Sequence, residues 1–536
     1  MSPKRPLTNQ PIIWAESRQE VCESFDWFRS YQGGVYFNND MVKGYLLSAF
    51  SSGRDLFARD GRLIISHGGG KAESVHTKAG QHTVREADDQ HEEDKSVRAL
   101  LRTYQMKRPL VLIIDDRYAL FPYDLATKGY TYVVLGFYHI AHAWAERHPA
   151  RNGKGYVIRY KFAFEWCKKQ PEPWWLKGPD GLVPPDTAHH PAATYTCPSC
   201  QKLSPLLYEG AWMCLQANCQ SFWTRMDGSR PPEDLTYDSN FVNSSFQCEH
   251  GTLEDIAPLP PATGAADGVI TSRRFCKGWH CKKCGRLSSR YKWEHWECKS
   301  CGNTLQVSGK HRSYKEFWGQ TNTDKFMHHK VSPDSGIIVS TLTPYRAGNA
   351  KSHYHTYILP ENRGRIYLIL ANHSTNETAN EIFREYQEQA HSGELRFRRW
   401  PLRQHQCRGT LLTNYFSQNS DWGAVPGTEC PLAYIRVVFI IMQYVGGTDN
   451  TVPFDGAPSA VVKARDLIHS RMLSVMQAES GQYCFNEVLS AAYMEKQKMA
   501  GDILIMDGAA IQEYYEHTVV PLNFRIAATA RFIGAQ

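Results

Sequence analysis

The chain has 536 residues, with 61 Lys and Arg against 54 Asp and Glu, a net charge of +7. An apolar fraction of 42% with 14 Trp and 28 Tyr excludes a mostly disordered chain, and no stretch of roughly 18 apolar residues is present to cross a bilayer. At about 150 residues per domain the length accommodates about three or four domains, and so mild a charge permits a nucleic-acid partner without arguing for one.

The opening MSPKRPLTNQ lacks the apolar centre of a secretory signal, so an intracellular protein is expected. Residues 1–175 read as a β-rich domain: GVYF, GRLIISH, PLVLIID, YTYVVLGFYHIAHAW and GYVIRYKFAFEW are strand-like, several alternating by two. The acidic READDQHEEDK reads as a loop inside it.

Cysteine placement is more informative than charge. Eight of the 15 Cys form two sets of four. The first is Cys197-x2-Cys200, thirteen residues, then Cys214-x4-Cys219; the second is Cys281-x2-Cys284, thirteen residues, then Cys298-x2-Cys301. Two such knuckles facing each other make a tetrahedral S4 site, which suits Zn(II) and leaves iron as a minor alternative. The spacers match as well, with Leu203 and Leu287, Ser204 and Ser288, Trp212 and Trp296 at equal offsets. The expectation is a diverged tandem of zinc ribbons at 190–225 and 273–306, each folded by its metal. They serve either as structural staples or as a nucleic-acid surface, since Lys282, Lys283, Arg286, Arg290 and Lys292 crowd the second. Cys276 and His280 are possible substitute ligands there, and Cys248 and His250 have no assigned role. A Pro/Gly-rich linker is expected over 226–272.

A third unit is expected over 320–536. It holds strand-like IYLILAN, a helix over STNETANEIFREYQEQA with a Ser or Thr cap, and a helix over AVVKARDLIHSRMLSVM. Between them lies a basic aromatic run with Arg396, Arg398, Arg399, Trp400 and Arg403, which offers phosphate contacts and a ring for base stacking, or else a solvated Arg face. An alternating strand carries Arg525 and Arg531 on one face, their ends about 20 Å apart, a spacing from which two guanidinium forks converge on one dicarboxylate.

Two resemblances follow. The order GRLIISHGGGK, KRPLVLIIDD, YVVLGFYHIAHAWAER, GYVIRYKFAFEW resembles the SRA and wider PUA-like folds, small barrels that hold modified bases. The end of the chain, Phe485-Asn486, Tyr493, Gly501-Asp502, Tyr515-Glu516-His517 and Arg525-x5-Arg531, is similar to the AlkB-like Fe(II)/2-oxoglutarate dioxygenases. That resemblance implies a double-stranded β-helix (jelly roll), His517 as an iron ligand, and Tyr493, Arg525 and Arg531 as holders of 2-oxoglutarate. It implies oxidative demethylation, with alkylated nucleic acid as substrate, in the nucleus rather than the cytoplasm.

The chain departs from this pattern. The family's first iron ligands, His-x-Asp, follow the Tyr strand, yet no His lies between Tyr493 and His517. The expected fold is therefore multidomain and mainly β (α+β), with an incomplete jelly roll and a poor or inactive dioxygenase. A retained intron within DWGAVPGTECPLAYIRVVFIIMQYV and a skipped exon near Met499 would account for the disturbance. The alternative is a non-catalytic zinc-ribbon protein that binds nucleic acid or chromatin, with a degenerate oxygenase domain.

Overall fold

The computed structural model describes the chain except residues 1–2, 50–51, 70–71, 77–81, 87–88, 150–154, 177–191, 245–252, 259–267, 273–274, 276, 318–330, 371, 373, 403–406, 422–449, 477–484, 495–502, 508–523 and 532–536. The apolar run after Asp421, the segment around Met499 and His517 thus lie outside the described residues. Two compact units make up the chain. The first comprises Met1–Leu259, Gly278–Ser288 and Gln406–Thr410; the second comprises Pro260–Lys277, Ser289–His405 and Leu411–Gln536.

The strand-like segments of the N-terminal region form one sheet in the first unit. Its spatial order is Val35–Asn38, Met41–Leu47, Leu110–Asp115, Tyr132–Pro149, Tyr156–Trp166, Leu63–His67, Leu56–Ala58, with Trp14–Ala15 beside the start of Tyr132–Pro149. Met41–Leu47 and Leu110–Asp115 run parallel, and the connection between them carries the helix Lys95–Gln105, as a parallel pair requires. That helix turns Val97, Ala99, Leu100 and Thr103 inward. The central strand Tyr132–Pro149 is 18 residues long and shifts register at Val134/Gly136 and at Ile140/His142. Such bulges bend a strand too long to stay flat.

The core of this sheet does not end with the N-terminal region. Leu112, Ile114, Val133, Phe162 and Phe164 share one apolar cluster with Leu207, Tyr208, Met213, Leu215, Phe222 and Trp223 from the first Cys set, and with Leu235 and Phe241 beyond it. The first Cys set therefore packs into a tertiary core, contrary to the expectation that zinc alone folds it.

A buried carboxylate joins the same parts. Glu146 is fully buried. Its Oε1 accepts from Trp144 Nε1 (2.8 Å), Tyr237 Oη (3.3 Å) and Tyr208 Oη; its Oε2 meets Arg54 Nε (3.0 Å) and His148 Nε2 (2.8 Å). A buried charge is tolerated only when matched this completely.

The second unit holds two sheets. One has the order Ile338–Val339, Ala350–Ile358, Arg365–Ile369, Ile503–Asp507, with Thr343–Ala347 also paired to Ala350–Ile358. The other runs Val452–Pro453, Phe416–Asp421, Glu487–Tyr493, Arg525–Arg531. Helices Glu377–Ser392 and Ser459–Met476 accompany them. Asn376, not the expected Ser or Thr, occupies the first N-cap, and Gly393 in the left-handed region ends that helix. The architecture is mainly β and multidomain; closure into a jelly roll is not seen among the described residues. No described helix is long and apolar enough to cross a membrane.

The Glu146 contacts set a pH response. Burial pushes this carboxyl up, but the His148 hydrogen bond and the charges of Lys161 and Arg54 outweigh it and hold it well below the usual range. His148 is also shifted down, by burial first, against the pull of Glu146. Both groups bind fewer protons folded than unfolded. Their contribution is complete above about pH 6.5, and falls as the pH drops first past the imidazole range and then below about 4.3. Tryptophan-monitored unfolding of Glu146→Gln should show a loss of about 3 kcal/mol at pH 7 and a shallower acid dependence than the parent. An unchanged acid slope would assign that dependence elsewhere.

Candidate zinc centres and a buried polar cluster

Both Cys sets close. The four Sγ atoms of Cys197, Cys200, Cys214 and Cys219 lie within 4.8 Å of one another, and so do those of Cys281, Cys284, Cys298 and Cys301. In the first set Cys197–Cys219 and Cys200–Cys214 are each 3.8 Å apart. A tetrahedron with ~2.3 Å metal–sulfur bonds has edges of ~3.8 Å, so this spacing could hold zinc.

The backbone explains the fit. Gln201 N–H donates to the Cys197 carbonyl, Gly285 N–H to that of Cys281, and Gly302 N–H to that of Cys298. The Cys197, Cys281 and Cys298 N–H groups donate in turn to the carbonyls of Lys202, Arg286 and Asn303. Three knuckles thus repeat one turn; Cys214-x4-Cys219, with its longer spacer, does not share it. The turn needs a left-handed residue, at φ 57° for Gln201, 71° for Gly285 and 68° for Gly302. Around Cys197, burial raises the thiol, and N–H groups of Cys200 and Ser199 more than offset it, bringing it down to about 7.

The matched spacers occupy matched strands: Tyr195 pairs with Ser204, and Trp279 with Ser288. Their surroundings differ, since Leu203 is exposed and Leu287 buried. The basic residues of the second ribbon are mostly spent inside the protein. Arg286 forks onto Glu16 (2.7 and 2.6 Å) and reaches Glu20 (3.0 Å). Arg290 is fully buried, donating to the carbonyls of Phe275 (2.9 Å) and Ile270 (3.3 Å), with Trp293 and Trp296 over it. Lys292 pairs with Glu297. Lys282 and Lys283 remain exposed.

The 395–403 run is similarly engaged. Arg398 forks onto Glu294 (2.8 and 2.7 Å), and buried Arg399 donates to the carbonyls of Thr413 (2.6 Å) and Arg290 (3.2 Å). Trp400 Nε1 donates to the Ser417 carbonyl (3.1 Å), Arg396 is exposed, and Arg403 lies outside the described residues.

At the C-terminal motif, Tyr493 and Arg525 stand directly opposite on neighbouring strands, the guanidinium carbon 6.0 Å from the ring centroid. Burial shifts Arg525 below its ordinary value, against the pull of Tyr493. Arg531 stands in register with Glu487 at the other end of the same strand. His517, the expected iron ligand, is not among the described residues.

One group of buried polar side chains was not singled out from the sequence. Asp55 and Lys161 form an ion pair (2.5 Å) with 2% and 0% exposure. His67 is directly opposite Lys161 across the sheet, its Nδ1 3.7 Å from Asp55 Oδ2. The buried Tyr118 hydroxyl has no hydrogen-bond partner, nor has His67 Nδ1. Burial, with the nearby charge of Asp55, pushes the Tyr118 hydroxyl well above its ordinary pKa. The signal was available: a lysine in the middle of the apolar strand YVIRYKFAFEW has to find a counter-charge.

No family model matches the chain, and no curated protein matches it. Solved structures similar to it contain SRA domains. One is described as the SUVH5 SRA domain in complex with methylated CHH DNA, at 18% identity and a TM-score of 0.22, covering 33% of this chain and 100% of that one. A second, the SUVH5 SRA domain bound to fully hydroxymethylated CG DNA, has 20% identity and a TM-score of 0.20, covering 27% and 82%. A third, the sulfur binding domain and SRA domain of ScoMcrA complexed with phosphorothioated DNA, has 12% identity and a TM-score of 0.18, covering 30% and 40%.

The knuckles generate a contrast between two glycines. A Cβ at Gly285 would stand 2.5 Å from the Ile12 carbonyl oxygen, whereas one at Gly302 meets nothing within 4 Å. Gly302→Ala should cost only the left-handed penalty, about 1 kcal/mol, while Gly285→Ala adds a backbone clash. In a chelator competition read by zinc release, Gly285→Ala should lose one zinc at least about tenfold faster than Gly302→Ala. Equal rates would show that the turn at Gly285 does not hold the site.

Proposed function

We propose that this protein is a zinc-stapled, non-catalytic binder of DNA, and that its first unit receives a modified base of the duplex. The observation that carries this reading is the cluster of Asp55, His67, Tyr118 and Lys161. It is buried and charged, yet two of its polar atoms, Tyr118 Oη and His67 Nδ1, make no hydrogen bond. A core polar group left unsatisfied costs about 1–3 kcal/mol, which a planar polar ligand would recover. The four segments that carry the SRA-like resemblance supply adjoining strands of the sheet that holds this cluster. Modified DNA, the ligand named for the similar structures, is the class proposed here. In this reading the zinc ribbons act mainly as staples, because Arg286, Arg290 and Lys292 have partners within the protein.

A second reading, the AlkB-like dioxygenase, is favoured by one face of the four-stranded sheet. Register places Ser417 beside Ala491 and Ala527, and Asn419 beside Leu489 and Thr529, between the Tyr493–Arg525 pair and the Glu487–Arg531 pair. Ser417 Oγ, Asn419 Oδ1 and Arg525 Nη1 are buried there without partners. Such a face suits a small dicarboxylate, and Tyr493 and Arg525 are the residues to hold 2-oxoglutarate. With iron, that acid supplies the electrons for oxygen activation when both are bound.

Fluorescence anisotropy of the zinc-loaded chain separates the readings. Duplexes with one central modified base should bind at least about threefold more tightly than the unmodified duplex, with no succinate released when iron and 2-oxoglutarate are added. Equal weak binding to every duplex would overturn the first reading, and stoichiometric succinate would establish the second.

A further inference from the structure

The hydrogen-bond inventory of the buried cluster bears on which base it takes, an inference that rests on the DNA-binding reading. An ammonium carries three donors. Lys161 gives one to the Gly53 carbonyl (2.7 Å) and one to Asp55 Oδ1 (2.5 Å). The third has no partner among the described residues, although the side chain is fully buried. The Tyr118 hydroxyl makes no hydrogen bond, and His67 Nδ1 makes none although it faces Asp55 Oδ2 at 3.7 Å.

The Asp55 carboxylate already takes three donors. Asp55 Oδ2 takes the Ser52 N–H (2.9 Å) and the Ser66 hydroxyl (3.5 Å), while Oδ1 takes Lys161. The Tyr45 hydroxyl donates to the His67 carbonyl (2.5 Å). What remains is a lysine N–H, a phenol O–H and an imidazole nitrogen that becomes a donor once protonated or in the other tautomer. The carboxylate that would select an exocyclic amine is occupied by protein donors. Of these groups His67 is the partly open one, at 18% exposure, so the edge of a ligand enters past it.

We propose that the cluster selects a pyrimidine whose 5-substituent presents oxygen, such as a carboxylate, over one that presents only a methyl group. A carboxylate at that position would accept from Lys161 and Tyr118 together. It would also add an anion beside the buried ammonium, which has Asp55 as its one carboxylate within hydrogen-bond reach among the described residues.

The test uses the zinc-loaded full chain and three duplexes identical except for a central cytosine, 5-methylcytosine or 5-carboxylcytosine. The 5-carboxylcytosine duplex should bind at least about tenfold more tightly than the 5-methylcytosine duplex. Tyr118→Phe should reduce that margin to about threefold without lowering the unfolding temperature, because the hydroxyl removed has no partner in the free protein. Lys161→Met should abolish the margin; it also strips Asp55 of its counter-charge, so Tyr118→Phe carries the test if that variant does not fold. Tighter binding of 5-methylcytosine would overturn this inference and leave the DNA-binding reading standing. No preference for either modified duplex over cytosine would overturn both. A margin that Tyr118→Phe leaves untouched would assign the unspent donors to buried water and overturn the inference as well.

Discussion

A charge removed from water must be matched, and the first unit is organised around that requirement. Its two longest strands, Tyr132–Pro149 and Tyr156–Trp166, carry Glu146 and Lys161 into the interior. Glu146 is answered by Arg54 and His148 from its own region, and by Tyr208 and Tyr237 from the first ribbon and the stretch after it. The first ribbon is thereby held on the sheet by hydrogen bonds to a buried anion as well as by apolar packing. Lys161 is answered by Asp55 alone among carboxylates within hydrogen-bond reach. That pairing leaves donors over, and the candidate base site follows from the remainder.

The two ribbons apply one local solution in two settings. Each gathers four Cys Sγ atoms within 4.8 Å of one another through turns that need a left-handed residue. Glycine meets that need in the second ribbon at Gly285 and Gly302; Gln201 meets it in the first. The second ribbon's Arg286 reaches Glu20, which also completes the capping box of the helix Arg18–Ser24 with Ser17. One carboxylate thus caps a helix and receives a buried guanidinium.

How much was legible in the sequence follows from how local each signal is. Cys spacing is local, and both sets close as their spacing implies, down to the equivalent pairing of Tyr195–Ser204 and Trp279–Ser288. The alternating N-terminal segments are local too and became neighbouring strands. Fates of charged side chains are not local. Arg398 and Arg399 read as a basic run, yet their partners are Glu294, more than a hundred residues away, and the carbonyls of Thr413 and Arg290. Nothing in the run itself announces these. The Asp55–Lys161 pair spans a comparable distance along the chain and escaped for the same reason. The C-terminal motif occupies an intermediate position. Register brings Tyr493 opposite Arg525, while the expected iron ligand, His517, lies outside the described residues.

The central claim is that a base leaves the duplex to occupy the buried cluster of the first unit. The direct measurement is the fluorescence of 2-aminopurine placed next to a modified pyrimidine while the zinc-loaded chain is titrated in. Extrusion of the neighbouring base unstacks the probe, so a severalfold rise that saturates with binding is predicted, absent from the unmodified duplex. Saturating binding with no change in fluorescence would contradict the account, because the base would have stayed in the stack.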